Sequence, residues 1–156
     1  MNVFNNKNII QYFINEFWTS ITLLGTPIFY IIIILLISHF NLNFNPIKTL
    51  IEFLLLEILC FFLKIFISKS RPEKSIKRVF VNLYQERSFP SIHSARVSLL
   101  CYIFFNTLPE LNFIFATIVI LVGYSRIYIR EHDYIDVLGG VSLGLLFGLC
   151  WTIFYV

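Results

Sequence analysis

Charged residues are scarce in this sequence: Asp, Glu, Lys and Arg make up 13% of its 156 residues, about half their usual share in a soluble domain. Apolar residues reach 58%, with 18 phenylalanines, and the mean hydropathy is +0.79. A chain this short cannot hide so much apolar surface inside one water-soluble core. The composition therefore argues against a soluble domain and predicts that lipid is the solvent.

Cysteine, glycine and proline are also few. The three cysteines, Cys60, Cys101 and Cys150, stand apart in apolar stretches, with no paired spacing that would indicate a disulfide framework or a metal knuckle. We interpret them as small buried hydrophobic residues. No internal repeat and no low-complexity segment is present. We therefore expect one integral membrane domain over residues 1–156.

Positive charge is concentrated in one segment. The net charge is only +3, yet residues 68–88 contain Lys69, Arg71, Lys74, Lys77, Arg78 and Arg87. A basic loop beside apolar segments favours contact with anionic lipid headgroups and argues against a nucleic-acid partner. The sequence indicates no obligate protein partner.

Five apolar runs come close to the roughly 20 residues that a helix needs to cross about 30 Å of hydrocarbon. They cover residues 17–40, 49–67, 91–108, 111–129 and 134–156. Ahead of the first, Ile9, Ile10, Phe13 and Phe17 recur at helical spacing, which predicts an interfacial helix, with a disordered polar tail as the alternative. The predicted fold is all-α: a polytopic membrane helical bundle of about five transmembrane helices plus an N-terminal interfacial helix.

The polar segments are predicted to gather on one side of the membrane. Successive spans alternate in direction, so the 68–88 loop and the turn at 130–133 emerge on the same face. Within that turn, Glu131 and Asp133 are interpreted as charges at the membrane edge.

Charged side chains within spans need a reason, because each costs about 2.5–3.5 kcal/mol at a helix centre. Lys64 and Arg71 are two helical turns apart and share a face if the helix continues; Pro72 then ends it. Snorkelling to the interface is the alternative for Lys64 and Arg126. A pairing of Lys64 with Glu57 would neutralise both charges.

Two histidines have neighbours that suit phosphate chemistry. Ser91 is a predicted helix N-cap, which puts His93 in a first turn, where free backbone N–H groups and the helix dipole favour phosphate. His132 and Asp136 are four residues apart, so that on a helix the carboxylate can orient the imidazole. A lone histidine at an interface is more often structural.

Three segments resemble the signature motifs of a known family. "KIFISKSRP" (64–72), "PSIH" (90–93) and "SRIYIREHDYID" (125–136) are similar, in residue type and spacing, to those of the type 2 phosphatidic acid phosphatase superfamily. The resemblance covers a motif core of residues 64–136. Ile92 departs from the pattern, because the family has glycine there and a β-branched residue restricts the turn. The chain also has one predicted span fewer than the six common in the family's membrane members.

The resemblance implies a role for each motif residue. His132 would be the nucleophile that forms a phosphohistidine, Asp136 would orient it, and His93 would be the general acid. The nonbridging phosphate oxygens would be bound by Lys64, Arg71, Ser91 and Arg126. Arg96 and Arg130 are candidates for headgroup binding, with interfacial anchoring as the alternative. No metal and no cofactor are implied, because the fixed cations would offset the phosphate charge.

The family implies an integral membrane lipid phosphatase. Its substrate would be a lipid mono- or diphosphate, such as undecaprenyl diphosphate, phosphatidylglycerol phosphate or the phosphate of lipid A. A lipid-to-lipid phosphotransferase and a noncatalytic phospholipid-binding membrane protein are the alternatives. Positive-inside counting puts the basic loop in the cytoplasm, but family members that act on envelope lipids face outward. We therefore expect a bacterial inner-membrane protein with its active site on the extracytoplasmic face.

Overall fold

The computed structural model describes residues 6–40, 44–72 and 87–154. Its α-helices are α1 (Asn6–Thr22), α2 (Pro27–His39), α3 (Pro46–Ile67), α4 (Ile92–Thr107), α5 (Asn112–Tyr128) and α6 (Tyr134–Phe154). Short 3-10 turns precede α2 and α5. Over the described ranges there is no β-strand, and one isolated antiparallel bridge joins Ser70 to Arg87. The all-α prediction is confirmed.

Within the described residues, two segments are long and apolar enough to cross a membrane, judged by length and composition: Pro109–Tyr128 and Tyr134–Phe154, with mean hydropathies of 1.6 and 2.0. The pair Ile9–Gly25 and Pro27–His39 becomes a third if it is counted as one bent span. The 22-residue α3 carries four charged side chains, and α4 has only 16 residues. By these criteria two or three spans qualify, and the number five stays a prediction.

The first predicted span, residues 17–40, is not one helix. α1 continues past Phe17, and the chain bends by 57° before α2. Thr26 is extended, with φ −85° and ψ 156°, because Pro27 crowds the residue before it and lacks the N–H that a continuing helix needs. The predicted boundary at Phe17 is therefore wrong. The disordered tail is excluded for the residues that form α1.

The most extensive helix contact is between α4 and α6, which run in the same direction. A Cβ on Gly140 would lie 2.3 Å from the Ser91 carbonyl oxygen, and one on Gly144 would lie 2.2 Å from that of Ala95. Glycine is needed here because no other residue allows the two backbones to approach this closely, a common device in membrane helix pairs. The helix N-termini therefore lie together, and the Ser91 N–H donates to the Asp136 carbonyl at 2.9 Å.

The core lies between α2, α3, α4 and α5 and is built from apolar side chains. Ile34, Phe53 and Phe104 have no exposed surface, and Leu100 has 1%. The outward helix faces also carry large apolar side chains, which a bilayer accommodates and water does not. The core holds the helix ends that carry the motifs at one end of the bundle.

Candidate active site

The three sequence motifs meet at one end of the bundle. Lys64 lies in the last turn of α3 and Arg126 in the last turn of α5. His93 and Asp136 lie in the first turns of α4 and α6, whose N-terminal dipole ends are positive. His132 lies in the turn between α5 and α6. The structure thus brings residues that are far apart in the sequence to one membrane face.

His132 and Asp136 form the centre of this site. Their exposed fractions are 2% and 0%. His132 Nδ1 is 3.5 Å from Asp136 Oδ2, slightly longer than a hydrogen bond, so the carboxylate faces one nitrogen of the imidazole. Burial lowers the pKa of His132 to about 2, and the positive charges of Arg126 and Lys64 add to the effect. The imidazole is therefore neutral at neutral pH, with Nε2 on the side away from Asp136.

The turn between α5 and α6 places His132 against Arg126. The Arg126 carbonyl accepts hydrogen bonds from the N–H groups of Glu131 and His132, both at 3.2 Å. Arg130 has a left-handed backbone, with φ 58°, and is exposed. This local closure brings an arginine and a histidine six positions apart into one small region.

Asp136 is held by a reciprocal cap at the start of α6. Asp133 Oδ1 accepts from the Asp136 N–H at 3.0 Å, and Asp136 Oδ2 accepts from the Asp133 N–H at 3.2 Å. This is the pattern of a capping box. The sequence predicts Asp133 only as a charge at the membrane edge, and its contact with Asp136 is a finding of the structure. The D-x-x-D spacing before an apolar run is the signal that could have found it.

Lys69 joins the first motif to this cap. Its Nζ lies 2.6 Å from Asp133 Oδ2 and 2.8 Å from Asp136 Oδ1. Burial alone would lower the pKa of Lys69, but the two carboxylates raise it. Burial alone would raise the pKa of Asp133, but the hydrogen bond from Lys69 lowers it. The sequence predicts Lys69 only as part of a basic loop, because its partners are more than 60 residues away along the chain.

Glu131 joins two predicted phosphate-binding arginines. Arg71 Nη1 is 2.5 Å from Glu131 Oε2, and Arg126 Nη2 contacts the same oxygen. The Arg71 and Arg126 side chains are 18% and 5% exposed, whereas that of Glu131 is 40% exposed. We call these three residues the outer cluster. The sequence predicts Glu131 at the membrane edge, and local spacing does not indicate this pairing, because it depends on the fold of the turn.

Lys64 is positioned by a reciprocal contact across the long loop. Its Nζ donates to the Arg87 carbonyl at 2.9 Å, and Arg87 Nη1 donates to the Lys64 carbonyl at 2.9 Å. Arg87 therefore satisfies a carbonyl at the C-terminal end of α3. The remaining basic loop residues, Lys74, Lys77 and Arg78, lie outside the described residues.

Ser91 and His93 stand at the start of α4. The helix begins at Ile92, so Ser91 has the predicted N-cap position, but its hydroxyl accepts a hydrogen bond from Ser94 at 3.0 Å and caps no N–H. His93 is partly exposed, and its Nδ1 has no hydrogen-bond partner within the part of the chain that is described. A Cβ on Gly25 would lie 2.7 Å from His93 Cβ, so the bend before α2 fits closely against this histidine.

Arg96 takes part in an interior ion pair. Its Nε and Nη2 both contact the Glu57 carboxylate, the latter at 2.9 Å, and its Nη1 donates to the Gly25 carbonyl at 3.0 Å. The suggested pairing of Glu57 with Lys64 is therefore wrong, because Glu57 faces α4. We call Arg96 and Glu57 the inner pair.

This arrangement has the parts needed for phosphoryl chemistry. Lys64, Arg71 and Arg126 supply fixed positive charge near the buried, neutral imidazole of His132, and two helix N-termini add their dipoles. Among the residues with described positions, no group of three or more His, Cys, Asp or Glu side chains is arranged to hold a metal ion.

Comparison with known proteins identifies the class of this molecule. Residues 47–156 match the family model of the PAP2 superfamily. Phosphatidylglycerophosphatase B of Bacillus subtilis (strain 168) is 34% identical over 155 residues, which cover 88% of this chain and 73% of that protein. A similar fold is found in the crystal structure of the "first transmembrane PAP2 type phosphatidylglycerolphosphate phosphatase from Bacillus subtilis". The two structures superpose with a TM-score of 0.73 and 31% sequence identity, over 91% of this chain and 76% of that one.

The molecule is thus an integral membrane protein with the helical fold of a transmembrane phosphatase. The chain belongs to the PAP2 superfamily.

Proposed function

We propose that this protein hydrolyses the terminal phosphate of a membrane lipid mono- or diphosphate through a phosphohistidine on His132. The observation that carries the proposal is the buried His132–Asp136 contact beside Lys64, Arg71 and Arg126. Phosphatidylglycerol phosphate is the first substrate to test, because the relative with 34% identity is a phosphatidylglycerophosphatase. Undecaprenyl diphosphate and the phosphate of lipid A are the others.

In the first step, Nε2 of His132 attacks phosphorus in line with the leaving lipid oxygen. The N–P bond forms as the P–O bond to the lipid breaks, and His93 donates a proton to the leaving oxygen. Asp136 holds the Nδ1 proton and stabilises the positive charge that develops on the ring. The product is a lipid alcohol, or a lipid monophosphate when the substrate is a diphosphate.

In the second step, water attacks the phosphohistidine, and His93 takes a proton from that water. The N–P bond breaks, which returns the electron pair to His132 and releases inorganic phosphate. Throughout both steps, Lys64, Arg71 and Arg126 bind the nonbridging oxygens and offset their charge, and Ser91 contributes from the start of α4. Fixed cations fill the role that metal ions have in other phosphoryl-transfer enzymes, so no metal or cofactor is part of the proposal.

The proposal also covers the setting of the enzyme. Residues 1–156 act as one phosphatase domain in a bacterial inner membrane, with the active site on the extracytoplasmic face. Exposed Arg130 remains a candidate for headgroup contact at the rim, whereas Arg96 contacts the interior. An Arg130→Cys protein should react with a membrane-impermeant maleimide in intact cells, and protection there would contradict the orientation.

The decisive experiment is phosphate release from a panel of purified lipid phosphates in detergent. His132→Ala should lower the rate by more than about 10⁴-fold and abolish the acid-labile phosphoenzyme, since the proposed nucleophile is lost. His93→Ala should impair turnover least on substrates with good leaving groups. An active His132→Ala protein would rule the mechanism out.

Two further measurements test the alternatives. Free phosphate as the product supports hydrolysis, whereas a phosphorylated lipid acceptor would support transfer between lipids. Wild-type protein that releases no phosphate from any lipid would favour a noncatalytic phospholipid-binding role. Chelators should leave activity unchanged and vanadate should inhibit; strong inhibition by a chelator would show that a metal takes part.

A further inference from the structure

The outer cluster contains one residue that the proposed mechanism does not use. Glu131 Oε2 receives hydrogen bonds from Arg71, at 2.5 Å, and from Arg126. In the proposed function, these two guanidinium groups bind the nonbridging phosphate oxygens. A carboxylate oxygen therefore accepts hydrogen bonds from the same donors that a phosphate oxygen would need.

Charge and exposure separate the cations from the carboxylate. Arg71 and Arg126 carry two positive charges on side chains that are 18% and 5% exposed, and Glu131 offsets one of them from a side chain that is 40% exposed. The two arginine side chains are largely buried, whereas the carboxylate can rotate toward water and stay hydrated. Glu131 can therefore leave the cluster at lower cost than either arginine.

We propose that Glu131 determines specificity. Its carboxylate binds Arg71 and Arg126 and so excludes the phosphodiester headgroups of bulk bilayer lipids, whereas a terminal phosphate displaces it. The inference rests on the proposed function, which assigns these two arginines to phosphate. It extends that function by naming the chemical class that the site accepts, a terminal phosphate group, and the class that it resists, the phosphodiester.

The discrimination follows from what replaces the carboxylate. A phosphodiester has one negative charge and two nonbridging oxygens, as a carboxylate does, so exchanging one for the other gains little. A terminal phosphate has up to two negative charges and three oxygens, so it engages both guanidinium groups and Lys64 more strongly. Phosphodiester lipids are the bulk of a bilayer, and a site that bound them even weakly would be filled by them. A competing internal carboxylate raises the affinity that a ligand needs to stay bound.

The test compares wild-type protein with Glu131→Gln, which keeps the shape and loses the charge. Glu110→Gln is the matched control, because it removes the same charge from an exposed turn before α5, at the opposite end of the bundle from the site. Binding of inorganic phosphate to each full-length protein in neutral detergent is measured by calorimetry. We expect Glu131→Gln to bind phosphate about tenfold more tightly than the other two, as expected when a charge-assisted competitor is lost.

The second arm measures inhibition by a phosphodiester. Short-chain phosphatidylglycerol is added to hydrolysis assays with a lipid phosphomonoester. It should inhibit Glu131→Gln at concentrations that leave wild type and Glu110→Gln unaffected. Glu131→Asp keeps the charge on a shorter side chain that cannot bridge both arginines, so its phosphate affinity should lie between those of wild type and Glu131→Gln; this variant is decisive if Glu131→Gln does not fold.

Equal or weaker phosphate binding by Glu131→Gln would overturn the inference, since it would mean that Glu131 aligns the arginines for phosphate. So would a phosphodiester that inhibits all three proteins alike. The phosphate-binding arm needs no turnover. Wild-type protein that hydrolyses no lipid phosphate would therefore overturn the proposed function separately from the role of Glu131.

Discussion

The inner pair and the outer cluster use the same two residue types in opposite ways. In the inner pair, Arg96 meets Glu57 through two nitrogens, its side chain is 10% exposed, and one charge balances the other. In the outer cluster, two arginines share one oxygen of Glu131, which is 40% exposed. A balanced pair between helices holds the bundle together. An unbalanced cluster, made by the end of α5 and two loop residues, retains positive charge for a ligand.

The surroundings of each group follow from this difference. Arg96 also donates to the Gly25 carbonyl, in the bend that packs on His93, so the inner pair fixes structure behind the site. Arg126 also closes the turn that carries His132, so the outer cluster is part of the site itself. Substitutions should therefore affect stability at the inner pair and ligand chemistry at the outer cluster.

Between the inner pair and the outer cluster, the largest effect should come from removing one outer arginine. Arg126→Ala takes away a cation that offsets phosphate charge in the transition state, and we expect phosphate release to fall about 10²–10³-fold. The melting temperature in detergent should change little, because Glu131 can turn to water. Lys48→Ala, which removes a positive charge from the start of α3 at the opposite end of the bundle, is the control. A large loss of stability in Arg126→Ala would show that the outer cluster is structural too.

Removing the inner carboxylate should mainly destabilise the fold. Glu57→Ala leaves the buried Arg96 charge without its partner, at a cost of about 3 kcal/mol, measured as a lower free energy of unfolding. Glu131→Ala should cost far less. A double variant, Glu57→Leu with Arg96→Leu, should recover much of the loss, because no charge is then left unpaired. Equal costs for Glu57→Ala and Glu131→Ala would remove the distinction between the two groups.

Lys69 tests a third set of ion pairs, in which the cation is more exposed, at 31%, than Arg71, Arg96 or Arg126. Lys69→Met leaves Asp136 without one of its two hydrogen-bond donors, so its orientation toward His132 loosens. We expect about a tenfold loss in kcat with little change in KM, because the phosphate-binding cations remain. Lys69→Arg should restore much of the activity. A raised KM with normal kcat would place Lys69 in substrate binding instead.

The smallest effect should be the pH dependence of the Lys69–Asp133 pair. Because the folded pKa of Asp133 is lowered, its contribution to stability is present above the pKa of the unfolded chain and is lost as pH falls through the folded value. Since the side chains are 31% and 41% exposed, solvent screening keeps the effect below about 1 kcal/mol. Unfolding measured from pH 7 to pH 3 should be flatter in Asp133→Asn, and an unchanged slope would contradict the pair's role.

Much of the fold could be predicted from the sequence, because lipid imposes a simple rule. Apolar runs with almost no charge must become helices, so α3 to α6 and their order could be predicted from 49–67, 91–108, 111–129 and 134–156. The first apolar run, residues 17–40, gave a wrong prediction, because its length suggested a single straight span. The bend at Thr26 and Pro27 is a local effect that hydropathy does not register.

The candidate site was predicted in its residue types more fully than in its contacts. Motif spacing pointed to His93, His132 and Asp136, and the structure brings them to one end of the bundle. Glu131 and Lys69 were missed as contacts, and Glu57 was paired with the wrong residue. Each of these depends on a partner from a different helix or loop, and spacing along one segment cannot show such a partner.

The sequence by itself determined that this chain is a helical membrane protein with a phosphatase's motifs, because hydropathy and local spacing are properties of the chain. The tertiary structure decided which charges meet. Gly140 and Gly144 allow α4 and α6 to approach closely enough to join the second and third motifs, and the turn after α5 aims Glu131 at two arginines. Those contacts form only when separate helices pack together, because their strength depends on distances between side chains that are far apart in the sequence.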